Sequence, residues 1–318
     1  MVSAIVVSYN TLALTRQSLE ALNRSRGNFQ LEVIVVDNDS QDNSAEGLRE
    51  AFPNLKLIAS EENLGFGRAN NLGLNEAGGE YVLLVNSDAF VGEKTIQVLI
   101  DYLEHHPDVG VAGPMLKNND GSLQRSCYRF PSPSQAWLEN TGLARWLEAR
   151  GWRRDYDLWA HDNEQEVDFV SGACFMIRRD VYEQVGGFDP GFFLYSEETD
   201  WQRRIRDAGW KIAFTPDTEV THLGGSSGAN DRPKINQHFF NSLDRYERKH
   251  HGLIGFLMLR SAMVLGSAGR AVAWAIAALI RPNNRSRALA KSRFHRWLAL
   301  RQLTQPCPRL TPEGSTRR

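Results

Sequence analysis

Cysteine is scarce in this chain of 318 residues, and Cys127, Cys174 and Cys307 lie far apart in the sequence. An odd number of widely spaced cysteines forms neither a disulfide framework nor a zinc-binding pattern. The sequence also lacks the Gly-Lys-Ser/Thr signature, which excludes a phosphate-binding P-loop. We therefore expect a protein of a reducing compartment that is not a P-loop NTPase.

Long hydrophobic runs are also missing. The amino terminus has no basic leader, and its apolar run is too short for a signal peptide. Residues 253–280 are rich in Leu, Ala and Ile, but Arg260 and Arg270 divide them into runs shorter than the ~20 residues that cross a bilayer. This pattern predicts helices that either pack on the rest of the chain or, as we favour, lie in the membrane interface.

The charge is nearly balanced but unevenly distributed. From Arg281 onward there are ten Lys or Arg and one acid, so this tail carries +9, and the remainder carries −10 because the whole chain carries −1. A basic tail on an acidic body favours an anionic partner, either membrane surface or nucleic acid. The nucleic-acid hypothesis is the weaker one, because no RNA- or DNA-binding motif is present. The cations that would contact anionic lipid are Arg281, Arg285, Arg287, Lys291, Arg293 and Arg296.

Apolar runs of strand length alternate with segments of helical periodicity in the first third of the chain. The predicted strands are Ala4–Ser8, Leu31–Val36, Leu55–Ala59, Tyr81–Val85 and Val109–Met115. The predicted helices are Thr11–Leu22, Ser44–Phe52, one that follows the Gly-rich turn at residues 63–73, and Thr95–His105. This alternation predicts a right-handed, doubly wound α/β layer.

The pattern loosens from Leu116 to about Asp168, which predicts an insertion over the sheet that faces substrate. The insertion contains one amphipathic segment, around residues 137–150. Regular elements resume after it. The predicted elements are a strand over Val167–Ile177 that is broken at residues 171–173, helices over Arg179–Val185, Glu197–Ala208 and Asn236–His250, and short strands over Lys211–Phe214 and Glu219–Thr221.

Small polar and acidic residues stand at the carboxyl ends of three predicted strands. They are Ser8, Asp37 with Asp39, and Asn86 with Asp88. In an open parallel sheet, ligands bind beyond these ends. Asp88 with Asn86 suits Mg²⁺ or Mn²⁺, and an acid at residue 37 or 39 could bind a base or a ribose hydroxyl. The alternative is that these residues only form turns and helix caps.

Two further clusters carry chemistry. Glu197, Glu198 and Asp200 follow an aromatic run, and they either favour a helix amino terminus or include a general base whose pKa is raised by like charges. His222 precedes Gly224-Gly225-Ser226-Ser227-Gly228, a flexible loop that could surround a phosphate group. A histidine at a strand end, followed by backbone N–H groups, suits a metal with a diphosphate, although a lone histidine is more often structural.

Gly65-Phe-Gly67 begins like a dinucleotide fingerprint, but Asn70 replaces the third glycine and the segment follows the third strand, which argues against a Rossmann dehydrogenase.

Eight motifs in order resemble the family 2 glycosyltransferases, and in particular the bacterial rhamnosyltransferase-like branch that builds cell-surface polysaccharide. The motifs are Val-Val-Ser-Tyr-Asn10, Val-Val-Asp-Asn-Asp-Ser40, the stretch from Asn63 to Gly73, Leu-Leu-Val-Asn-Ser-Asp88, the stretch from Phe169 to Asp180, Gly186-Gly-Phe-Asp189, Tyr195-Ser-Glu-Glu-Thr-Asp-Trp201 and His222-Leu-Gly-Gly-Ser226. Together they cover about residues 2 to 250. The resemblance implies a GT-A fold, which is a Rossmann-like doubly wound mixed sheet. It also implies a nucleoside-diphosphate sugar donor (dTDP- or UDP-sugar), a divalent cation (Mn²⁺ or Mg²⁺) and inversion at the anomeric carbon.

The resemblance also implies roles for individual residues. Asp88 and His222 would hold the metal, and Glu198, with Glu197 before it, would be catalytic. The donor-binding residues would be Ser8, Tyr9, Asn10, Asp37, Asp39, Arg68, Asn86 and Gly172. The acceptor-side residues would be Gly187, Asp189, Asp200 and Trp201. The chain departs from the family in having Asn-Ser-Asp for Asn-Pro-Asp and Glu-Glu for Glu-Asp, and the second change lengthens the proposed base by one methylene.

These observations predict three segments and one leading function. Residues 1–250 would form the catalytic domain, residues 251–301 the amphipathic, basic, membrane-associated helices, and residues 302–318 a disordered tail. The leading hypothesis is a cytoplasmic glycosyltransferase, peripheral on the inner face of the cell membrane, that acts on a glycan or lipid-linked acceptor. The alternative is a catalytically inactive module that binds sugar nucleotides or glycans.

Overall fold

The computed structural model describes residues 1–150, 161–224, 232–280 and 282–310. The chain divides into two compact units, Met1–Phe130 with Asp157–Ser242 and Pro131–Tyr156 with Leu243–Arg318. The sequence did not indicate that residues 131–156 belong with the carboxyl-terminal helices. The predicted segment boundaries at residues 250 and 301 stay predictions.

The first unit is built on a mixed sheet. Its strands are β1 (Val2–Ser8), β2 (Leu31–Asp37), β3 (Lys56–Ala59), β4 (Tyr81–Asn86), β5 (Ala89–Val91), β6 (Val109–Lys117), β7 (Leu123–Gln124), β8 (Cys127–Tyr128), β9 (Gln165–Val167), β10 (Phe169–Val170), β11 (Cys174–Arg178) and β12 (Lys211–His222). The main path runs β3-β2-β1-β4-β11-β6-β12-β5, with β7 paired to β6 and β9 to β12, and β8 pairs with β10 separately.

Helices cover both faces of this sheet. Those of the first unit are α1 (Leu12–Asn23), α2 (Ser44–Ala51), α3 (Phe66–Glu76), α4 (Thr95–His105), α7 (Arg179–Val185) and α8 (Glu197–Asp207). Val2, Ala4 and Val6 of β1 pack into one apolar cluster, whereas Ile5 packs into a second cluster on the opposite face. A strand covered on both sides explains why β1 and β4 are almost uninterrupted apolar runs. The predicted doubly wound α/β architecture is confirmed.

The register places the functional edge of the sheet. β1, β2 and β4 run parallel, with Ser8 opposite Asp37 and Val7 opposite Asn86. β11 is antiparallel to both β4 and β6, and β12 is parallel to β6. The carboxyl end of β12, which is His222, therefore reaches the same edge as the ends of β1, β2 and β4.

The two short strands that were predicted around Pro216 differ from the structure. Residues 211–222 were expected to form two short strands around Pro216, but they form the single strand β12 with a register shift between Thr215 and Glu219. The shift accommodates the proline, which cannot donate to the ladder. The predicted break at residues 171–173 lies between β10 and β11, as expected.

The second unit is helical. Its helices are α5 (Pro133–Thr141), α6 (Leu143–Glu148), α10 (Gly252–Ile280) and α11 (Arg285–Thr304), and α9 (Arg232–His250) begins in the first unit and ends in the second. The arginines at 260 and 270 do not interrupt α10, which corrects the expected division into short runs. Among the described residues, α10 alone is long and apolar enough to cross a membrane. Of the predicted disordered tail, residues 302–304 end α11, and residues 311–318 lie outside the described part of the chain.

Candidate active site

The ends of β1 and β2 lie on one side of the sheet edge at which β1, β2, β4 and β12 end. Asp37 is buried, and its Oδ2 accepts from the backbone N–H of Ser40 at 3.2 Å. Its Oδ1 is buried and has no hydrogen-bond partner among the described residues. A buried carboxylate oxygen without a partner is costly unless a ligand satisfies it. Asp37 is therefore suited to accept a hydrogen bond from a ribose hydroxyl or a base N–H.

The other residues predicted to bind the donor have mixed positions. Asn10 lies in the left-handed region at φ 54, and its Oδ1 accepts from the Gln41 N–H, which ties the loop after β1 to the loop after β2. Asp39 also has a positive φ and accepts from the Gln41 side chain. Tyr9 is half-buried in the same loop, whereas Arg68 is exposed on α3 and pairs with Glu62.

The side chain of Ser8 points toward α1. Its hydroxyl is fully buried and lies 2.9 Å from the hydroxyl of Thr15 on α1. Thr11 joins the same cluster and donates to Ser87. The Ser8 hydroxyl is thus used to pack α1 against β1, and the role of Ser8 in binding the donor stays a prediction.

Asp88 and His222 form the centre of the edge. Asp88 Oδ1 lies 3.3 Å from His222 Nε2, and both side chains are largely buried. The pairing of β12 with β5 places His222 opposite Ala89, and the Leu223 N–H donates to the Asp88 carbonyl at 3.1 Å. Sheet pairing thus brings together two residues that are 134 positions apart in the sequence. The structure places both predicted metal ligands in contact.

The imidazole of His222 is held from its other side. Its Nδ1 lies 2.7 Å from Oε1 of Gln124 on β7. Nε2 faces Asn86 Nδ2 at 3.5 Å as well as Asp88. Gly224 turns the chain away at φ 73, and residues 225–228 of the predicted phosphate loop lie outside the described residues.

These side chains suit a divalent cation. An imidazole nitrogen and a carboxylate oxygen converge, and the buried Oδ1 of Asn86 has no hydrogen-bond partner among the described residues. Within the described part of the chain, no cluster of three or more His, Cys, Asp or Glu residues is placed to hold a metal. An ion held by Asp88 and His222 alone would complete its coordination with water and substrate oxygens, as Mg²⁺ commonly does.

Glu197 and Glu198 open α8 on the adjacent loop. Tyr195 and Ser196 precede them with φ values of 69 and 63, so two successive residues without glycine's freedom occupy the left-handed region. Such strain persists only where the surroundings enforce it, and it is common at active sites. The strained turn fixes the direction in which the two glutamates leave the chain.

The two carboxyl groups differ in how deeply they are buried. Burial, with the neighbouring charge of Glu198 as the second cause, holds the pKa of Glu197 well above its usual range. Burial also raises the pKa of Glu198, while N–H groups of residues 198 and 199 favour its ionised form. Both carboxyl groups therefore bind a proton more readily than an exposed glutamate does, and Glu197 is the more deeply buried of the two.

The turn at residues 171–173 connects Glu198 to the edge of the sheet at which Asp88 lies. A Cβ added at Gly172 would lie 3.3 Å from Cγ of Glu198, so the 171–173 turn passes directly beneath this carboxylate. The carbonyl of Ala173 accepts from the Asn86 N–H at 2.9 Å. Gln202 of α8 bonds the Val170 N–H and carbonyl, each at 2.8 Å, and so fixes α8 to this turn. The glutamates and the Asp88–His222 pair therefore share one edge of the first unit.

The residues predicted on the acceptor side mainly support α8. Asp200 is fully buried and pairs with Arg204 at 3.0 Å, and Arg204 also donates to the Gly187 carbonyl. Asp189 accepts from the Gly191 N–H. Trp201 is fully buried and donates to the Gly186 carbonyl at 2.6 Å. The indole of Trp201 therefore lies in the core, and the acceptor-side roles stay predictions.

A cavity of about 600 Å³ lies at the opposite edge of the sheet. Its arginines, Arg178 and Arg179, donate to main-chain carbonyls of residues 77, 79, 103 and 109. These bonds fix the amino end of β4 and leave the guanidinium groups engaged. This cavity therefore plays no part in the chemistry described for the other edge.

Sequence comparison identifies the family. The sequence profile described as "Glycosyl transferase family 2" matches residues 3–186, which is more than half of the chain. The chain belongs to this family. It is 28% identical over 262 residues to the N-acetylglucosaminyl-diphospho-decaprenol L-rhamnosyltransferase of Mycobacterium tuberculosis, covering 76% of this chain and 85% of the relative. It is 24% identical to the dTDP-rhamnosyl transferase RfbF of Shigella flexneri, covering 81% and 79%.

Solved structures agree on the fold. The mannosyltransferase PcManGT from Pyrobaculum calidifontis, in complex with GDP-Man and Mn²⁺, matches with a TM-score of 0.55 at 19% identity, covering 95% of this chain and 87% of that one. The fold of this family 2 chain is GT-A. The predicted family and its rhamnosyltransferase-like character are confirmed, and the relatives imply a glycosyltransferase of cell-surface glycan synthesis with a nucleotide-sugar donor and a glycan acceptor.

Proposed function

We propose that this protein is a metal-dependent, inverting glycosyltransferase that moves a rhamnose-like sugar from a dTDP- or UDP-sugar to a hydroxyl of a glycan or lipid-linked acceptor. One observation carries the proposal. The Asp88–His222 pair and the Glu197–Glu198 pair lie on one edge, linked by the bond between Asn86 and Ala173 and by Gly172 beneath Glu198. The relatives named as rhamnosyltransferases support the choice of sugar.

The donor would lie across the strand ends. Asp37, whose Oδ1 lacks a hydrogen-bond partner among the described residues, would accept from the ribose or base of the nucleotide. Asp88 and His222 would hold the divalent cation beside the diphosphate. When bound, this cation would neutralise charge that develops on the leaving nucleoside diphosphate. The Mn²⁺ named with the mannosyltransferase structure supports this choice of cofactor.

Glu198 would act as the general base. Its ionised carboxylate would take the proton from the acceptor hydroxyl as that oxygen forms a bond to the anomeric carbon and the bond to the diphosphate breaks. A base on the face opposite the leaving group gives inversion in a single displacement. Glu197, the more deeply buried of the two, would keep its proton, so that Glu198 carries the charge of the pair.

The Glu198→Gln variant tests this assignment. It removes the base and keeps the shape, so we expect turnover to fall by about 10²- to 10⁴-fold while donor binding, measured by calorimetry, stays nearly unchanged. In the parent protein, kcat/KM should fall as the pH drops, at a pH above the ordinary carboxyl value of 4.5, because burial raises the pKa of Glu198. Glu183→Gln, on the exposed face of α7, is the matched control.

Two outcomes would contradict the proposal. Parent-level turnover in Glu198→Gln would remove Glu198 as the base. A parent protein that binds nucleotide sugars from a panel, yet neither transfers nor hydrolyses any of them with Mn²⁺ present, would favour the inactive binding module. The panel would also identify the nucleotide, because the bound donor stabilises the folded state by mass action.

We also propose that the second unit places the enzyme on the inner face of the cell membrane. α10 carries exposed apolar side chains, including Ile254, Leu279 and Ile280, each more than 70% exposed. α11 packs against α10 and carries the exposed cations Arg285, Arg287, Arg293 and Arg296. A crossing α10 would take these cations with it toward the hydrocarbon, which is costly. The pair is therefore better suited to lying in the interface, where apolar side chains insert and cations contact anionic lipid.

A further inference from the structure

The side chain of Gln124 on β7 has a defined orientation. Its Nε2 donates to the Asn118 side-chain oxygen at 2.9 Å and to the His222 carbonyl at 3.1 Å. Both of these partners are oxygen acceptors, so the amide nitrogen must face them. The remaining atom, Oε1, must then be the one that lies 2.7 Å from Nδ1 of His222. An amide oxygen only accepts, so Nδ1 is the ring nitrogen that carries hydrogen.

The opposite side of the ring is compatible with this assignment. Asn86 Nδ2, a donor, lies 3.5 Å from Nε2 of His222. A neutral imidazole that carries its hydrogen on Nδ1 has its lone pair on Nε2, where Asn86 Nδ2 can donate to it. That lone pair faces Asp88 Oδ1 at 3.3 Å. Two electron-rich atoms at this distance repel each other unless a positive charge lies between them.

The local backbone keeps Gln124 in place. β7 pairs with β6, with Gln124 opposite Leu116, and the hairpin turns through Gly121 at φ 80. Asn118 closes this hairpin, because its backbone N–H donates to the Ser122 carbonyl and its side-chain oxygen accepts from Gln124. β6 in turn pairs with β12, which ends at His222. The amide is thus fixed by the same sheet that positions the imidazole.

We propose that Gln124 is a positioning residue that holds His222 in the Nδ1–H tautomer and so turns the Nε2 lone pair toward a divalent cation at Asp88. Metal-bound histidines usually donate their second ring N–H to a neighbouring acceptor, which sets both the tautomer and the ring orientation. The inference rests on the proposed function for the cation. The tautomer itself follows from the hydrogen bonds and can be measured without metal.

The first experiment measures the tautomer in the full-length, metal-free protein. Long-range ¹H–¹⁵N NMR at about pH 8.5, where imidazoles are generally neutral, distinguishes a protonated from an unprotonated ring nitrogen. The signals of His222 are assigned by their loss in His222→Asn. We expect an unprotonated Nε2 in the parent protein, and a shift toward Nε2–H in Gln124→Met, which removes the acceptor and keeps the length of the side chain. A protonated Nε2 in the parent, or an unchanged tautomer in Gln124→Met, overturns the inference.

Gln124→Glu separates positioning from a role in holding the hairpin. Glutamate keeps an acceptor for Nδ1 but loses both donor bonds, to Asn118 and to the His222 carbonyl. We expect it to keep the Nδ1–H tautomer. If Gln124→Glu behaves like Gln124→Met, the residue only stabilises the hairpin and the proposal fails. Gln184→Met is the matched control. Gln184 lies on α7, and its side-chain oxygen accepts from Trp210, at the opposite end of the sheet from His222.

The second experiment titrates MnCl₂, with and without dTDP, and follows binding by electron paramagnetic resonance. We expect Gln124→Met to weaken Mn²⁺ binding by about 10- to 100-fold, and Gln124→Glu to retain it. A changed tautomer with unchanged Mn²⁺ affinity overturns the link between Gln124 and the cation. A parent protein that binds no Mn²⁺ under either condition overturns the proposed metal and not the tautomer, so the two failures are distinguishable.

Discussion

At the scale of single residues, the proposed chemistry depends on the different environments of two neighbouring glutamates. Both begin α8, where backbone N–H groups favour an anion. Glu197 is almost fully buried, and its Oε2 has no hydrogen-bond partner among the described residues, whereas Glu198 is half-buried over Gly172. In the proposed mechanism, the buried member would keep its proton, and the half-buried one would lose it and reach an acceptor. An identical pair of side chains would then have two roles, set by their environments.

Glu197→Gln should stabilise the protein at high pH. Burial raises the pKa of Glu197 in the folded state, so folded molecules hold more protons than unfolded ones as the pH rises above the ordinary carboxyl value. Stability therefore falls as the pH rises through that window, and glutamine removes this loss. We expect a higher urea midpoint than the parent at about pH 8, and little difference at about pH 4, where glutamate is protonated in both states.

Glu183→Gln, the same change at an exposed glutamate of α7, is the matched control. An equal effect of Glu197→Gln at both pH values, or destabilisation at pH 8, would show that the carboxyl group is not held protonated.

The sequence indicates some of these residues and not others. Asp37, Asp88 and His222 follow apolar runs, and the end of a buried strand is visible as the point where polarity begins. Gln124 and Gln202 carry no such signal, because their partners are chosen by pairings between distant strands and helices. Ser8 and Trp201 belong to recognisable motifs, but a motif does not tell whether a side chain faces the cleft or the core. That direction depends on packing, which appears only in three dimensions.

At the scale of elements, the Gly-rich stretch at the start of α3 supports the loop that precedes α8. Gly65 has φ 76 and ψ 176, a region open almost only to glycine, and a Cβ there would overlap the Phe193 carbonyl. That carbonyl accepts from the Phe66 N–H at 2.9 Å, two residues before the strained turn at Tyr195. The segment that resembles a dinucleotide fingerprint thus provides a close backbone contact that holds the loop before Glu197.

Gly65→Ala should be more harmful than Gly186→Ala. Gly186 has nearly the same backbone conformation, φ 79 and ψ 179, but a Cβ there meets no atom within 4 Å. The two variants therefore share the conformational cost, and only Gly65→Ala adds the overlap with Phe193. We expect Gly65→Ala to cost about 1–3 kcal/mol more in the free energy of unfolding, measured with urea, and to lower turnover as the loop moves. Equal costs would show that the contact with Phe193 is unimportant.

Element boundaries were predictable where local signals agree. α4 and α7 have the predicted bounds, since an amphipathic pattern continues to a clear stop in each. The single β12 was not predictable, because Pro216 interrupts the local pattern and only pairing with β6 carries the strand past it. α10 was expected in pieces for a related reason. Arg260 binds Asp244, so its charge is compensated by a partner in the second unit that the local sequence does not show.

At the scale of the whole molecule, the uneven charge distribution gains a structural basis. α11 carries Arg285, Arg287, Arg293 and Arg296 on its exposed surface, next to the apolar α10. Such cations contribute about 1 kcal/mol each at an anionic surface, and the attraction is screened by salt. Apolar insertion and charge would then add, as membrane attachment by two weak signals generally requires. A lipid-linked acceptor would be brought to the enzyme in the plane of the same membrane.

Changing these four arginines to glutamine should release the full-length protein from membranes. In flotation with anionic phosphatidylglycerol vesicles at low salt, we expect the partition coefficient to fall by about 10²- to 10³-fold, and high salt to have a similar effect on the parent. A matched control changes Arg16, Arg24, Arg26 and Arg49, four exposed arginines of the first unit, and so alters the net charge equally. If both quadruple variants lose binding to the same extent, total charge and not α11 governs attachment. If neither loses it, α11 does not contact lipid, and the apolar side chains of α10 would have to act alone.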